Sequence, residues 1–415
     1  MKNHTFAIVL ITSLFFLWGF AHNLDPILIP HLKRSFTLSM TQATLVDSAV
    51  FIAYFLMAIP AGMIMKTLGY KTGIVSGLVV FAVGCYLFIP AANVQSYSFF
   101  LAALFVIACG LTILETAANP YITALGPPES SAFRLNLAQS FNGLATSAAP
   151  ILGAKFILLK GVTEKELSHM PQSLRKITLA AEASSVKIPY LILVSLLLVI
   201  ALIFLFTRLP EIAKGNSGHK NTGKNIFQTL RHQQLSWAVT AQFFYVGAQV
   251  SVFSLFILYA TKSAGITESQ AANYLGICGL AFLIGRFFST YLMRYFQPEL
   301  LLWVYAGFNI FLCLIAIIAT GPITLYSVIG ICFFISIMFP TIFAIGIHEL
   351  GEDTEYGSSL LIMSIVGGAV IPRIFGYISD ETSNIQFGYI VPLFCFCIIC
   401  VFGYSRHRLK NKLTK

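Results

Sequence analysis

The feature that most constrains this chain is a series of long apolar runs. A helix needs about 20 mainly apolar residues to cross the hydrocarbon core of a bilayer. The 415-residue sequence is 57% hydrophobic and only 10% charged, whereas soluble domains carry about 25% charged residues. The sequence therefore predicts an all-α integral membrane protein and excludes a soluble globule.

Twelve runs are long and apolar enough to be predicted as transmembrane helices. They cover residues 6–29, 42–65, 72–91, 98–121, 134–158, 188–207, 236–261, 268–293, 299–319, 323–348, 357–379 and 387–405. The first run could be mistaken for a signal peptide. It continues past the length of a signal core to Pro30 and contains Asp25, so we interpret it as the first span.

A polar stretch divides the twelve spans into two sets of six. Thr207 to Ser236 is rich in Gly, Asn, Ser and Lys, a composition typical of a flexible linker. We predict an N-terminal six-helix half at 1–207, a cytoplasmic linker at 208–235 and a C-terminal six-helix half at 236–415. A weak internal repeat supports this division, because the segments Met65–Lys71 and Met293–Glu299 each place a basic residue and a tight turn after a span. This 6+6 pattern indicates the major facilitator architecture, whose substrate sites lie near the midplane between the halves.

Basic residues set the orientation. The net charge of +10 might suggest a nucleic-acid partner, but the bases flank apolar runs and form no soluble face. They are more numerous on the side that becomes cytoplasmic when both termini are inside, as the positive-inside rule requires. We predict a multi-pass plasma-membrane protein (a bacterial inner membrane), monomeric, with both termini cytoplasmic, the lipid bilayer as a partner and no nucleic acid.

The most informative acid is Glu115, within the fourth apolar run. A carboxylate in hydrocarbon costs several kcal/mol, so a mid-span acid usually faces a protein interior, a cavity or a partner. Asn119 lies one turn further on the same face, and Pro120 favours a bend nearby. These residues predict a proton or substrate site inside a transporter. The alternative is a buried acid that only ties helices together.

Polar residues also interrupt the first span, where His22 and Asp25 share a helical face before Pro26. Two acids at different depths, Asp25 nearer the outside and Glu115 deeper, suit a proton route. An interfacial role is the alternative for Asp25, and Asp47 at the start of the second span is interpreted as interfacial. His22 is interpreted as structural.

Two polar stripes are candidates for sugar contact. Asn136, Gln139, Asn142 and Thr146 share one face of the fifth span, and Gln242, Tyr245 and Gln249 share one face of the seventh. Amides and a phenol can give and accept hydrogen bonds, and an aromatic ring covers the apolar face of a sugar. The alternative is interhelical hydrogen bonding. Asn273 on the eighth span is a further candidate.

The remaining polar residues in spans are given structural roles. Arg286, near the inner end of the eighth span, is interpreted as snorkelling to the membrane surface. Arg373 in the eleventh span is expected to pair with Asp380 or Glu381. The cysteines all fall in apolar runs, and although Cys395, Cys397 and Cys400 resemble a metal spacing, residues two apart diverge on a helix. We expect no metal, no cofactor and no disulfide framework.

Several long motifs resemble the L-fucose permease branch of the major facilitator superfamily, over nearly the whole chain. They are Phe15–Gly19, Leu114–Pro120, Phe133–Gln139, Ala241–Gln249 and Gly351–Ser359. The resemblance implies sugar:proton symport by alternating access, with Glu115 at the family's membrane glutamate. It also implies sugar contacts from Asn23, Gln139, Asn142 and the polar face of the seventh span.

One departure from that family concerns the first span. The family's first-span acid usually follows Asn in a form like Asn-Asp-Ile-Leu, whereas this chain has Asp25-Pro26-Ile27-Leu28. The acid is displaced by one residue, about 100° around a helix. Either the bend at Pro26 restores the position, or Asp47 substitutes, or the external proton step is altered.

We therefore predict a proton-driven symporter of a neutral monosaccharide, with L-fucose or a galactose-like hexose as first guesses. Within transport, the rival is a uniporter or a carrier of another polyol. An enzyme is disfavoured, because the sequence offers no metal-ligand pair, nucleophile elbow or phosphate loop. A sensor without transport would carry a soluble signalling domain, and both tails here are short.

Overall fold

The computed structural model describes residues 2–22, 36, 45–157, 170–174, 178, 184, 187–207, 210 and 226–413. The α-helices in chain order are α1 Lys2–His22, α2 Leu45–Leu68, α3 Tyr70–Val94, α4 Tyr97–Ala124, α5 Ser131–Ile157, α6 Lys187–Phe206, α7 Gln233–Ser254, α8 Phe256–Ala264, α9 Glu268–Leu292, α10 Pro298–Ile318, α11 Pro322–Ile335, α12 Met338–Ile347, α13 Thr354–Met363, α14 Gly367–Glu381 and α15 Ile390–Leu413.

Each of the twelve predicted runs overlaps one of these helices or one broken pair. The broken pairs are α7 with α8, α11 with α12, and α13 with α14. Within the described ranges, nine helical segments are long and apolar enough to cross a membrane, and α7 with α8 makes a tenth if this pair, bent by 56°, is one span. The all-α membrane fold predicted from the sequence is therefore confirmed.

The breaks follow from local sequence. α11 ends at Ile335 and α12 begins at Met338, just before Pro340, which cannot donate a backbone hydrogen bond. A 3₁₀ turn over Ser364–Val366 separates α13 from α14. The tight turn predicted after the second span is a single residue, Gly69, whose φ of +84° suits glycine.

Small residues let helices pack closely within each half. In the N-terminal half, a Cβ added at Gly84 or Gly110 would lie 2.5 Å from a backbone nitrogen of the facing helix in the α3–α4 pair. In the C-terminal half, a Cβ at Gly367 would lie 2.1 Å from the carbonyl oxygen of Phe243. Close backbone approach of this kind is typical of helices in lipid, where apolar side chains alone give little drive to associate. On the outside, α6 exposes a series of Leu, Ile and Val side chains, as a lipid-facing helix does.

The two halves meet along two seams. α2 packs against α13, and α5 packs against α9 and α12. At the first seam, a Cβ at Gly62 would lie 2.0 Å from Oγ of Ser359, and Nζ of Lys66 lies 4.2 Å from the ring centroid of Tyr356. These contacts lie toward the helix ends that the sequence predicts to be cytoplasmic. Most of the predicted linker lies outside the described residues, so its boundaries remain a prediction.

Candidate functional site

Glu115 faces the interior of the N-terminal half. Leu114 and Thr116 beside it are fully buried, while Glu115 is partly exposed. The hydroxyl of Tyr54, a buried residue of α2, donates to Oε1 of Glu115 at 2.8 Å. A hydroxyl donor can serve both a carboxylate and the carbonyl oxygen of a neutral carboxyl. This environment therefore holds the side chain in place in either protonation state.

Asn119 lies one turn from Glu115, and it is completely buried. Its Oδ1 accepts from Nε2 of Gln139 on α5 at 3.5 Å, a long contact, and its Nδ2 has no hydrogen-bond partner. Thus three of the predicted residues of the N-terminal half come together between α4 and α5. The amide pair keeps a donor that is free for a polar ligand.

The polar stripe of α5 extends in both directions from Gln139. Asn142 is partly exposed and packs against α1, since a Cβ at Gly19 would lie 2.8 Å from Cγ of Asn142. Nδ2 of Asn136 donates to Oγ1 of Thr341 at 3.2 Å, which joins α5 to α12 in the other half. Asn136 therefore links helices, as the alternative interpretation expects, while sugar contact by Gln139 and Asn142 stays a prediction.

The seventh-span stripe is buried at its centre. Gln242 is completely buried, and neither atom of its amide has a partner; the Tyr245 hydroxyl also has none. The Tyr245 ring lies 6.2 Å, centroid to centroid, from that of Phe339 in α12. Gln249 is partly exposed. An unsatisfied buried polar group costs about 1–3 kcal/mol, so these groups are suited to accept a polar ligand or water.

Asn273 is exposed on α9. By helical spacing, its side chain shares a face of α9 with the exposed apolar residues Ile277, Leu280 and Ile284. Its predicted sugar contact stays a prediction.

Arg286 was misjudged from the sequence. Snorkelling is wrong for this residue, because its side chain is only 5% exposed. Nη1 donates to the carbonyl oxygen of Gln139 at 2.8 Å, and Nε donates to that of Ser336 at 2.8 Å. The guanidinium therefore bridges the two halves beside the candidate sugar residues. Its position about 9 Å from the end of α9, deeper than a surface residue, was the available signal.

Several predicted residues lie outside what the structure describes. Asn23 and Asp25 fall outside the described ranges, as do the side chains of His22 and Asp47, so the first-span acid stays a prediction.

Arg373 is exposed, and no ion pair joins it to Asp380 or Glu381 among the described side chains. That expected pairing is wrong.

Among the described side chains, no group of three or more His, Cys, Asp or Glu residues could hold a metal ion. All eight cysteines are free thiols.

Comparisons with known proteins agree with this architecture. Residues 8–354 match the model of the Major Facilitator Superfamily. The chain is 40% identical to the L-fucose-proton symporter of Escherichia coli K12, over 98% of this chain and 94% of the relative. It is 41% identical to a glucose/galactose transporter of Brucella abortus, over 97% of this chain and 94% of the relative.

Solved structures of major facilitator transporters align with this chain over nearly its whole length. The E. coli fucose:proton symporter has 40% sequence identity and a TM-score of 0.91, over 97% of this chain and 99% of that chain. A further structure of that symporter, described as being in the outward conformation, aligns equally well. A proton:xylose symporter with 14% identity aligns with a TM-score of 0.68, a similarity of fold alone.

An all-helical membrane fold whose two halves meet around buried polar side chains defines a membrane transporter of the major facilitator class, and the chain belongs to that superfamily. Its near full-length similarity at 40% identity places it in the L-fucose permease branch.

Proposed function

We propose that this chain is a proton-coupled symporter of a neutral monosaccharide, with L-fucose or a galactose-like hexose as the substrate. The observation that carries the proposal is Glu115, an acid inside a span that is held by Tyr54 and lies one turn from a pair of buried amides. The names of the relatives, an L-fucose-proton symporter and glucose/galactose transporters, point to the same chemistry.

In this proposal the acid carries the proton and the amides carry the sugar. Glu115 can exchange a proton with water that enters between the halves, while the bond from Tyr54 keeps the carboxyl oriented. Gln139, Asn142 and Asn119 approach the sugar from the N-terminal half, and Gln242, Tyr245 and Gln249 approach it from the C-terminal half. Asn23 as a sugar contact and Asp25 as an outer proton relay complete the proposal.

Alternating access requires that one side be closed while the other is open. Contacts toward the predicted cytoplasmic ends support a state that is closed on the inside. Oγ of Ser358 donates to the carbonyl oxygen of Thr116 at 2.9 Å, and Arg286 and Asn136 also bond across the halves. The similarity to a structure in the outward conformation agrees with this reading.

The remaining features of the proposal concern the cell. Multiple apolar helices make this a multi-pass membrane protein. We place it in a bacterial inner membrane as a monomer, without a cofactor or enzymatic activity, and with both termini in the cytoplasm.

Transport of labelled sugars into proteoliposomes tests the proposal. A panel of L-fucose, D-galactose, D-glucose and a linear polyol is offered with and without an inward proton gradient. Accumulation of one hexose above its external concentration only with the gradient supports symport. Equilibration that never exceeds the external concentration supports the alternative, a uniporter, and uptake of none of the sugars rejects both.

A further inference from the structure

Arg286 is a buried cation that bonds across the two halves, and the proposed transport cycle, on which this inference rests, gives it neither the proton nor the sugar to carry. Its side chain is 5% exposed and its guanidinium lies 4.5 Å from the ring centroid of Phe282 on its own helix. Among the described residues no carboxylate forms an ion pair with it. Burying an unpaired cation costs several kcal/mol unless hydrogen bonds compensate, so its two carbonyl partners matter.

The first partner is a carbonyl that proline has left without a donor. In a continuous helix the Ser336 carbonyl would accept from the backbone N–H four residues on. That residue is Pro340, which has no N–H. Nε of Arg286 supplies the missing donor at 2.8 Å. The bond therefore stabilises the break between α11 and α12.

The second partner lies in the other half. Nη1 donates at 2.8 Å to the carbonyl oxygen of Gln139, whose side chain contacts Asn119. The guanidinium is a rigid planar fork, so it fixes the Gln139 backbone relative to the α11–α12 break.

Gly285 allows α9 to come close enough to α11 for the bond to Ser336, because a Cβ there would lie 2.4 Å from the carbonyl oxygen of Phe333. On the α5 side, a Cβ at Gly143 would lie at ordinary contact distances, 3.4 Å from Leu283 and 3.7 Å from Nη1 of Arg286. The chain thus has small residues on both sides of the guanidinium, where it contacts α11 and α5.

We propose that Arg286 is a positioning residue that latches the inner side of the transporter closed by joining the carbonyl freed by Pro340 to the carbonyl of Gln139. The latch forms only while α9 and α5 are in contact. When the inner side opens, water reaches both carbonyls and the guanidinium, and the latch is no longer needed.

The test measures the inner side directly and needs neither sugar nor a proton gradient, so it does not depend on the substrate or the coupling. Nitroxide labels are attached through p-acetylphenylalanine at Leu68 and Tyr295, which are exposed at the inner ends of the two halves. The distance between the two labels is measured by electron paramagnetic resonance. We expect Arg286→Met to raise the ratio of inner-open to inner-closed molecules about tenfold, because the Ser336 and Gln139 carbonyls both lose a donor that water can replace only in the open state. Arg373→Met, on an exposed arginine, is the matched control and should leave the distances unchanged.

Repeating the Arg286 substitution in a Pro340→Ala variant tests whether its effect depends on the freed Ser336 carbonyl. Pro340→Ala restores an N–H for the Ser336 carbonyl, so Arg286→Met should have at least a threefold smaller effect in that background. Arg286→Lys keeps the charge without the fork and should give an intermediate shift. If Arg286→Met does not fold, Arg286→Lys carries the test. Distances that stay unchanged or shift toward the closed state, or an effect of equal size with and without Pro340, overturn the latch.

Discussion

Replacing Glu115 by Gln should uncouple sugar transport from proton transport while changing the shape of the side chain very little. The hydroxyl of Tyr54 donates to Oε1 of Glu115 at 2.8 Å, and a glutamine keeps an oxygen that can accept this bond. The free energy of unfolding should therefore change by less than about 1 kcal/mol, the net value of one hydrogen bond. The amide cannot gain and lose a proton, so only coupling should be lost.

The size of the effect follows from the proton gradient. A gradient of one pH unit supplies about 1.4 kcal/mol for each proton, which supports about tenfold accumulation at one proton per sugar. In proteoliposomes, wild-type protein should approach that ratio, whereas Glu115→Gln should stop near equal concentrations. Exchange of external for internal sugar at equal pH should persist, because the loaded carrier needs no proton release.

Two results would refute this reasoning. Accumulation by Glu115→Gln at the wild-type level would make Glu115 a structural acid. Loss of both accumulation and exchange in a folded variant would show that its role in the sugar-loaded carrier is more than proton transfer. Glu381→Gln, on an exposed acid at the end of α14, is the matched control and should behave as wild type.

Three further predictions test the sugar-binding residues, the α2–α13 contact between the halves and the outer proton relay. Gln139→Ala and Gln242→Ala should each weaken sugar binding by roughly 0.5–1.5 kcal/mol in calorimetry without lowering the melting temperature, and unchanged affinity would remove that residue from the site. Gly62→Val should separate α2 from α13, because even a Cβ there overlaps a side chain of α13, and the inner-side label pair should report longer distances; an unchanged distribution would contradict this. Asp25→Asn should slow uptake more at high external pH than at low, and if Asp47→Asn alone does so, the outer relay lies on the second span.

Periodicity was sufficient to group the residues of α4 and α5. Glu115 and Asn119 are four apart in an apolar run, so helical geometry alone predicts that they share a face. The fold then turns that face inward, toward Tyr54 and Gln139. The sequence predicted that Glu115 and Asn119 share a face because this depends on neighbours within one helix, but it did not predict Tyr54, which lies on another helix.

Single polar residues in apolar runs could not be placed in the same way. Asn273 is a lone amide on a predicted span and is exposed, whereas Gln242, which belongs to a polar stripe, is completely buried. For Arg286, counting along α9 gives a depth of about 9 Å from the helix end, but not which helices pack around the side chain. Its burial depends on α5 and on the break at Pro340, which are far apart in sequence.

Two prolines, one in an unbroken α4 and one at the α11–α12 break, show how closure of the inner side can be both specific and reversible. Pro120 and Pro340 lie in the fourth span of each half, and the carbonyls four residues earlier, of Thr116 and Ser336, lack helical donors. The first accepts from a hydroxyl of the opposite half, and the second from Arg286, which itself reaches the opposite half. A transporter must move between states that differ by only a few kcal/mol, and a hydroxyl-to-carbonyl bond contributes about 0.5–1.5 kcal/mol. Because water can replace each donor when the halves separate, these bonds select the closed arrangement without preventing its opening.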